Sequence, residues 1–529
     1  MSHTLTGTGT LVRLILRRDR IRLPIWVLAI IGVVYSSATV VPETYSTPEQ
    51  IQAYQDTMGT SPAAIAMSGP PVALDTLGGI LVYETAVTAL VAVALMAVFL
   101  VVRHTRGEEE EGRTEVLRST VLGRHAPLAA ALLVVSAACL VVGLAVAAAV
   151  GSAGVSMSGS LLYGVAVGVF GVTFACIAAT AAQLMTHARG AIGLSASVLA
   201  GAYLVRAVGD VRENWLVWLS PMGWSQQVRA FDDDRWWPLV ISVVFAAVAV
   251  AASVVLANRR DLGAGIVPSR PGPPEAAASL NGPVGLALRL QRGSVIGWVI
   301  GMFVGGAATG SFSREIQTMV ESNDTLAEYI AAAGDGTLVE MYLSTMMLIL
   351  SLIAAGFAVS SALRMRSEET SGRLEPVLAT GVSRTRWLLG GLLVTLAGTV
   401  VVMAAGGLGL GLAHGLVSDD GGAVVWVLGD SLVYLPAVLG LAALAVLLFG
   451  WLPRLAAVAW AALAVCFLVG YLGGLLRFPD WFENLSPFTH TPAVPVDDVT
   501  VAPLMAIGIG VVLATGVGLL GFRRRDIGV

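Results

Sequence analysis

Lysine is missing from the 529 residues; all 31 basic side chains are arginine. A P-loop needs a lysine at the nucleotide phosphates, so a standard Walker A site is excluded from this chain. An all-arginine basic set also points to a GC-rich genome, and we expect a Gram-positive bacterial source. Charge is scarce as well: 12% of residues are charged, roughly half of what a soluble protein carries. The three cysteines (Cys139, Cys176, Cys466) lie inside apolar runs and read as small core residues rather than disulfide partners. The six histidines are scattered without metal-ligand spacing, and neither an HExxH pattern nor a Ser/His/Asp grouping argues for a membrane enzyme. No catalytic residue, metal site or resident cofactor is expected, and no nucleic-acid partner. The opening "MSHTLTGTGT" lacks the basic start and apolar core of a cleavable signal peptide.

What the chain has is grease: 56% of its residues are hydrophobic and its mean hydropathy is +0.80. Apolar runs long enough to cross a bilayer as helices recur along it. They predict an all-α polytopic membrane protein with twelve spans, near 23–41, 81–102, 127–150, 160–184, 190–207 and 238–257, then 294–310, 341–363, 388–412, 431–450, 455–475 and 502–522. With both termini cytoplasmic, 25 of the arginines fall inside; Arg206, Arg212, Arg229, Arg235, Arg314 and Arg477 fall at outer positions. That bias orients a multi-pass protein in the plasma membrane, because arginine-rich loops stay cytoplasmic.

The chain reads as a tandem duplication. "RHTRGEEEEGRTEVLRSTVLGR" (103–124) returns as "RMRSEETSGRLEPVLATGVSR" (364–384). A shift of 260 matches Arg106/Arg366, Glu108/Glu368, Glu109/Glu369, Gly112/Gly372, Arg113/Arg373, Glu115/Glu375 and Arg124/Arg384. Similar shifts match "LSP" at 219–221 with 485–487, "RRDLG" (259–263) with "RRDIG" (524–528), and Arg20 and Trp26 with Arg292 and Trp298. Six spans per copy give both copies one orientation, so the repeat is parallel, about an axis along the membrane normal. Residues 1–257 form the first six-span half and 285–529 the second; the proline-rich stretch 258–284 is a stiff cytoplasmic linker between them.

Three kinds of element stand out. Before the first span of each half, "LVRLILRRDRIRLP" and "GLALRLQRG" predict amphipathic helices at the membrane surface, with Arg13, Arg17 and Arg20, and Arg289 and Arg292, on the charged face and Val12, Ile15 and Leu16 on the apolar face of the first. The repeated "EE..GR.E" loop follows span two, with a glycine free to turn the chain and arginines able to pair bidentately with a partner's carboxylate. Glu110 and Glu111 have no acidic counterparts at Thr370 and Ser371 and read as solvated extras. On the outer side, Thr47-Pro48-Glu49 signals a helix start, 311–336 reads as helical, and the aromatics of "NWLVWLSPMGW" and "DWFENLSPFTH" suit the interfacial belt. Gly164/Gly168, Gly301/Gly305 and Gly407/Gly411 are spaced for close helix packing.

On these motifs each half resembles a type-2 permease domain of the ATP-binding-cassette transporters, the six-span fold shared with the G-subfamily (type V) exporters. The fused double form, with its two "EE..GR.E" loops and two "RRD.G" ends, resembles actinobacterial exporters of polyketide antibiotics and multidrug efflux permeases. The resemblance implies a separately encoded ATPase, a homodimer binding ATP and Mg, that drives export of amphipathic antibiotics or drugs. It implies that Glu108, Glu109, Arg113 and Glu115, with Glu368, Glu369, Arg373 and Glu375, couple to that ATPase beside the connecting helices. It also implies a substrate path lined mainly by spans two and five of each half, with Tyr83, Met96, Phe99, Tyr203, Tyr342, Met346, Phe357, Phe467 and Tyr471 as candidate lining residues; Met and aromatic side chains repack around varied ligands. A proton-coupled secondary transporter is the alternative. It would need ionisable groups inside the membrane, and the expected spans hold almost none.

Overall fold

A computed structural model describes residues 4–119, 121–261, 263–267, 272, 274–314, 316, 337–476 and 479–526. The regular elements among the described residues are all helices, without strands. Among the described residues, eleven helices are long and apolar enough to span a bilayer. The span expected near 455–475 coincides with the helix Val458–Leu476, whose fully described apolar stretch is Val458–Gly470. The chain forms two compact units, Met1–Gly272 and Pro273–Val529, and the boundary falls inside the proline-rich linker. The beginning of that linker is fastened to the first unit, for the backbone N–H groups of Ile266 and Val267 donate to Gln183 and Leu184.

In the first unit the connecting helix Thr8–Arg18 precedes Arg22–Thr44, Leu77–Val102, Ala126–Gly151, Met157–Leu184, Ala188–Val211 and Pro238–Arg259. The Leu77–Val102 helix continues through a π turn at Arg103–Gly107 to Glu110. It and Met157–Leu184 form the centre, 67% and 78% buried along their apolar windows, whereas Arg22–Thr44 and Pro238–Arg259 are at the periphery. Central helices need small residues to approach closely. A Cβ on Gly164 would lie 2.3 Å from the Gly143 carbonyl oxygen, so the spacing of Gly164 and Gly168 marks a true helix crossing with Ala126–Gly151. Because that neighbour is backbone, Gly164→Val must push the crossing helices apart. We expect a loss of about 1–3 kcal/mol, read as a lower thermal midpoint in detergent, while Gly193→Ala, which meets open space, leaves it unchanged.

The second unit runs Pro283–Gly310, Leu338–Thr370, Arg384–Ser418, Ala423–Val433 continued by Leu435–Trp451, Val458–Leu476 and Val501–Arg524. The break at Tyr434 precedes Pro436, which cannot continue the hydrogen-bond ladder. Here the expected connecting helix is not separate: it is continuous with the next span in Pro283–Gly310. The expected Gly301/Gly305 contact is displaced by one position. Gly301 faces open space, and Gly306 instead lies against the Gly406 carbonyl.

The face opposite the Glu-Gly-Arg loops bears out the capping signals. Thr47 and Gln50 form a capping box on the helix Pro48–Met58, with Pro48 in its first turn. The matched serines of the two "LSP" motifs are buried: Ser220 caps the helix Pro221–Gln226 by accepting from Met222 and Gly223 N–H, and Ser486 accepts from Phe488 N–H in a turn. Most of the segment expected to be helical at 311–336 lies outside the described residues.

Candidate functional site

The two Glu-Gly-Arg loops adopt one backbone design. Gly112 and Gly372 have φ of 70° and 69°, the left-handed conformation that glycine enters at least cost. Each N–H donates back to the matched glutamate carbonyl, Gly112 to Glu109 at 3.1 Å and Gly372 to Glu369 at 3.0 Å. The turn ends the long helix and starts a short one, Arg113–Arg118 in the first unit and Leu374–Ala379 in the second.

The matched motifs then meet in space. In the first unit Arg260, from "RRDLG", holds both oxygens of Glu109 at 2.9 and 2.6 Å. In the second, Arg525, from "RRDIG", holds both oxygens of Glu369 at 2.8 and 2.5 Å. Each clasp ties the loop to the C-terminal end of its own unit's last helix, 151 or 156 residues away. A second matched pair reinforces it. Arg124 donates to the carbonyls of Ala257 and Asn258, and Arg384 to those of Arg523 and Arg525; these are the open carbonyls of the same helix ends. Arg106 adds a third support in the first unit only: it is fully buried and reaches Glu109 at 2.6 Å and the carbonyls of Ala182 and Ala264. Glu109 and Glu369 are therefore internal clasp residues, not free surface acids.

The remaining residues differ between the units. Glu108 accepts from Arg18 at 2.8 Å and from Arg113 at 3.2 Å, and Arg113 also pairs with Glu111. Glu110 caps the helix Ala188–Val211, accepting from Ala188 N–H at 2.9 Å beside His187 at 3.0 Å. Glu110 and Glu111 are both exposed, as expected of solvated acids, but Glu110 also has a structural partner that the sequence did not indicate. Glu368 sits 3.6 Å from Arg364, and Thr370 and Ser371 bond their own helix. Arg373, Glu115 and Glu375 are exposed.

The connecting helix packs through Leu11 and Ile15 against Ala126, Ala130 and Val134. The stripe that packs on protein is Leu11/Ile15 with Val12 beside it, and Leu16 of the expected Val12/Ile15/Leu16 face is exposed. Arg13, Arg17, Arg20, Arg289 and Arg292 are exposed; the arginine that touches the loop is Arg18. Beyond it, buried Asp19 pairs with His104 of the π turn, with Arg103 at 3.7 Å, which pins the break between connecting helix and span. Helix, loop and last-helix end enclose a cleft of about 80 Å³, with Ile15 and Leu128 on its apolar side and Arg18, Glu108 and Arg260 on its polar side.

The candidate path residues scatter. Met96 and Phe357 are fully buried in the cores of their own units; Phe357 packs on Trp298 at 6.0 Å between ring centres. Tyr83 is buried and lines a small cavity with Tyr163 and Gln226 inside the first unit. Tyr203, Tyr342 and Met346 are half-buried, Phe99 and Phe467 are exposed, and the side chain of Tyr471 lies outside the described residues.

Near the opposite face the first unit holds a polar cluster the sequence did not flag. Arg206 is fully buried and donates to the carbonyls of Ile65, Ala66 and Met67, the C-terminal end of the short helix Pro62–Ser68. Its guanidinium lies over Tyr203 and 3.5 Å from Asp210. Tyr54 donates to Glu84; burial, then the Glu84 charge, pushes the Tyr54 hydroxyl far above its ordinary pKa, so it stays a donor. Among the described residues no group of acids, histidines and cysteines is arranged to hold a metal.

The model of the family described as "Multidrug efflux system permease Rv1217c, C-terminal domain" matches residues 9–256 and 280–523. The chain is also 40% identical, over 531 aligned residues covering 99% of it and 95% of the relative, to the multidrug efflux system permease protein Rv1217c of Mycobacterium tuberculosis (strain ATCC 25618 / H37Rv).

Proposed function

This chain belongs to the multidrug efflux permease family, and from that premise we propose that it is the membrane subunit of an ATP-driven exporter of amphipathic antibiotics or drugs. One observation carries the reading. Two loops of the same design, each turning on a left-handed glycine and each clasped to the end of its unit's last helix, present exposed charges at one face of each unit. A loop that merely kept its charges out of lipid would not need a half-buried bidentate tether to a distant helix. A loop that must pass a push into the membrane would, because displacement of its tip then displaces the helix. The two segments matched by the family model lie on either side of the linker and support the reading of two fused permease halves.

In this reading an ATPase homodimer binds the two loops on the cytoplasmic side, where both termini also lie. ATP and Mg sit on the ATPase; this chain contributes docking, the mechanical link and the substrate path. Several ionisable groups within spans are already engaged, which supports this over proton coupling: Arg206 pairs with Asp210 and holds the Pro62–Ser68 helix, Glu84 accepts from Tyr54, and His414 bonds Ser313, while Asp430 lies near a span end.

The test is transport from liposomes. With the ATP-binding-cassette ATPase encoded beside this chain and ATP, we expect efflux and substrate-stimulated hydrolysis, and reversing Arg113 and Arg373 together to Glu should lower both at least tenfold with insertion intact. Efflux driven by a proton gradient in the absence of any ATPase would overturn the proposal.

A further inference from the structure

The two loops share a backbone but not an electrostatic state. In the first, four consecutive carboxylates are all engaged: Glu108 by Arg18 and Arg113, Glu109 by Arg106 and Arg260, Glu110 by the start of the Ala188–Val211 helix, and Glu111 by Arg113. Arg113 is thereby neutralised by two acids of its own loop. In the second, Thr370 and Ser371 replace two of those acids, Glu369 is taken by Arg525 and Glu368 lies beside Arg364. The Arg373 guanidinium is exposed and makes no side-chain hydrogen bond or ion pair within 4.0 Å among the described residues; the one acid whose charge reaches it, Glu368, already lies beside Arg364.

An arginine already paired must give up those partners before it meets a new carboxylate, and the acids it releases repel the newcomer. An unpaired guanidinium offers its planar fork at once. Resting on the reading that an ATPase docks at these loops, we infer that docking is asymmetric: Arg373 of the second unit is the contact for a carboxylate on the ATPase surface, whereas the first-unit loop is self-neutralised and docks without a charge contact from Arg113. One ATPase of an otherwise identical pair is then held electrostatically, and its association is the salt-sensitive one.

Two experiments test this, and one of them does not depend on the ATPase. The native cysteines are buried, so single Arg113→Cys and Arg373→Cys variants report local potential by their labelling rates with anionic and cationic methanethiosulfonates. The anionic-to-cationic rate ratio should be at least threefold higher at 373 than at 113; equal ratios overturn the asymmetry whatever drives transport. In liposomes with the neighbouring ATPase, Arg373→Glu should lower substrate-stimulated hydrolysis at least tenfold and Arg113→Glu at most threefold, and Arg373→Lys should recover some of the loss. Equal losses, or the larger loss at Arg113, overturn the inference. Cysteine variants that show the labelling contrast, together with a wild-type chain that gives no ATP-dependent efflux, would instead overturn the functional reading beneath it.

Discussion

Replacing Arg206 with Met is expected to destabilise the first unit by about 3–5 kcal/mol, the usual cost of breaking a buried ion pair from one side. The side chain is inaccessible to solvent, so water cannot replace what it supplies. Its removal strips the counter-charge from Asp210, itself almost wholly buried, and leaves the Ala66 carbonyl without its donor, while the Ile65 carbonyl keeps the Gly69 N–H and that of Met67 keeps the Tyr203 hydroxyl. Unsatisfied helix-end carbonyls in an apolar setting are costly, and the Pro62–Ser68 helix has only seven residues with which to resist fraying. The expected result is a thermal midpoint lower by several degrees and easier proteolysis between residues 60 and 75. Arg206→Lys keeps the charge but loses the fork that spans three acceptors, so it should fall between. Arg206→Met with Asp210→Asn removes the orphaned charge and should recover some of the loss. If Arg206→Met melts within one degree of the wild type, the guanidinium does not hold this helix.

Much of the membrane architecture was legible because it rests on length and hydropathy, which are local. The long apolar runs became long helices, Thr47-Pro48 became a capped helix start, and the glycine of each Glu-Gly-Arg motif became a left-handed turn. What failed depended on rotation about a helix axis, which a run apolar on every side does not specify. Gly305 was expected at a contact that Gly306 makes. Arg206 passed as an outer-end charge because the helix Ala188–Val211 runs several residues beyond the expected span.

The candidate site divides in the same way. The motif positions were visible as repeats, and the loops' turn could be argued from one glycine. The partner of Glu109 could not, since Arg260 lies 151 residues away. A signal was nevertheless present: "EE..GR.E" and "RRD.G" are both duplicated. Two motifs retained together in both copies of a duplication are candidates for mutual contact. The Glu110 cap left no such trace, because it occurs once. Repetition therefore separated the shared machinery from the features particular to one half, and the unpaired Arg373 belongs to the second class.

That distinction gives the clasp its sharpest consequence. Arg525→Ala should be more damaging than Arg260→Ala, although the two arginines occupy matched positions. Without Arg525, Glu369 keeps no cation within 4.0 Å among the described residues, and the guanidinium packed over Phe449 and Phe522 is lost as well. Without Arg260, Glu109 still holds Arg106 at 2.6 Å, and Arg106 stays fixed by the Ala182 and Ala264 carbonyls. Removing one partner of a buried pair costs on the order of 3–5 kcal/mol when nothing replaces it; both clasps are partly exposed, which lowers the cost of either substitution, and the second cation on Glu109 places Arg260→Ala lower still. If each clasp passes motion from loop to last helix, Arg525→Ala should also uncouple the complex, with ATP hydrolysis retained and efflux per ATP reduced at least tenfold. The exchange Glu369→Arg with Arg525→Glu restores the pair in reverse and should recover some coupling, which a purely steric role for Arg525 would not allow. Equal midpoints and equal efflux per ATP for the two alanine variants would show that the clasps neither differ nor transmit.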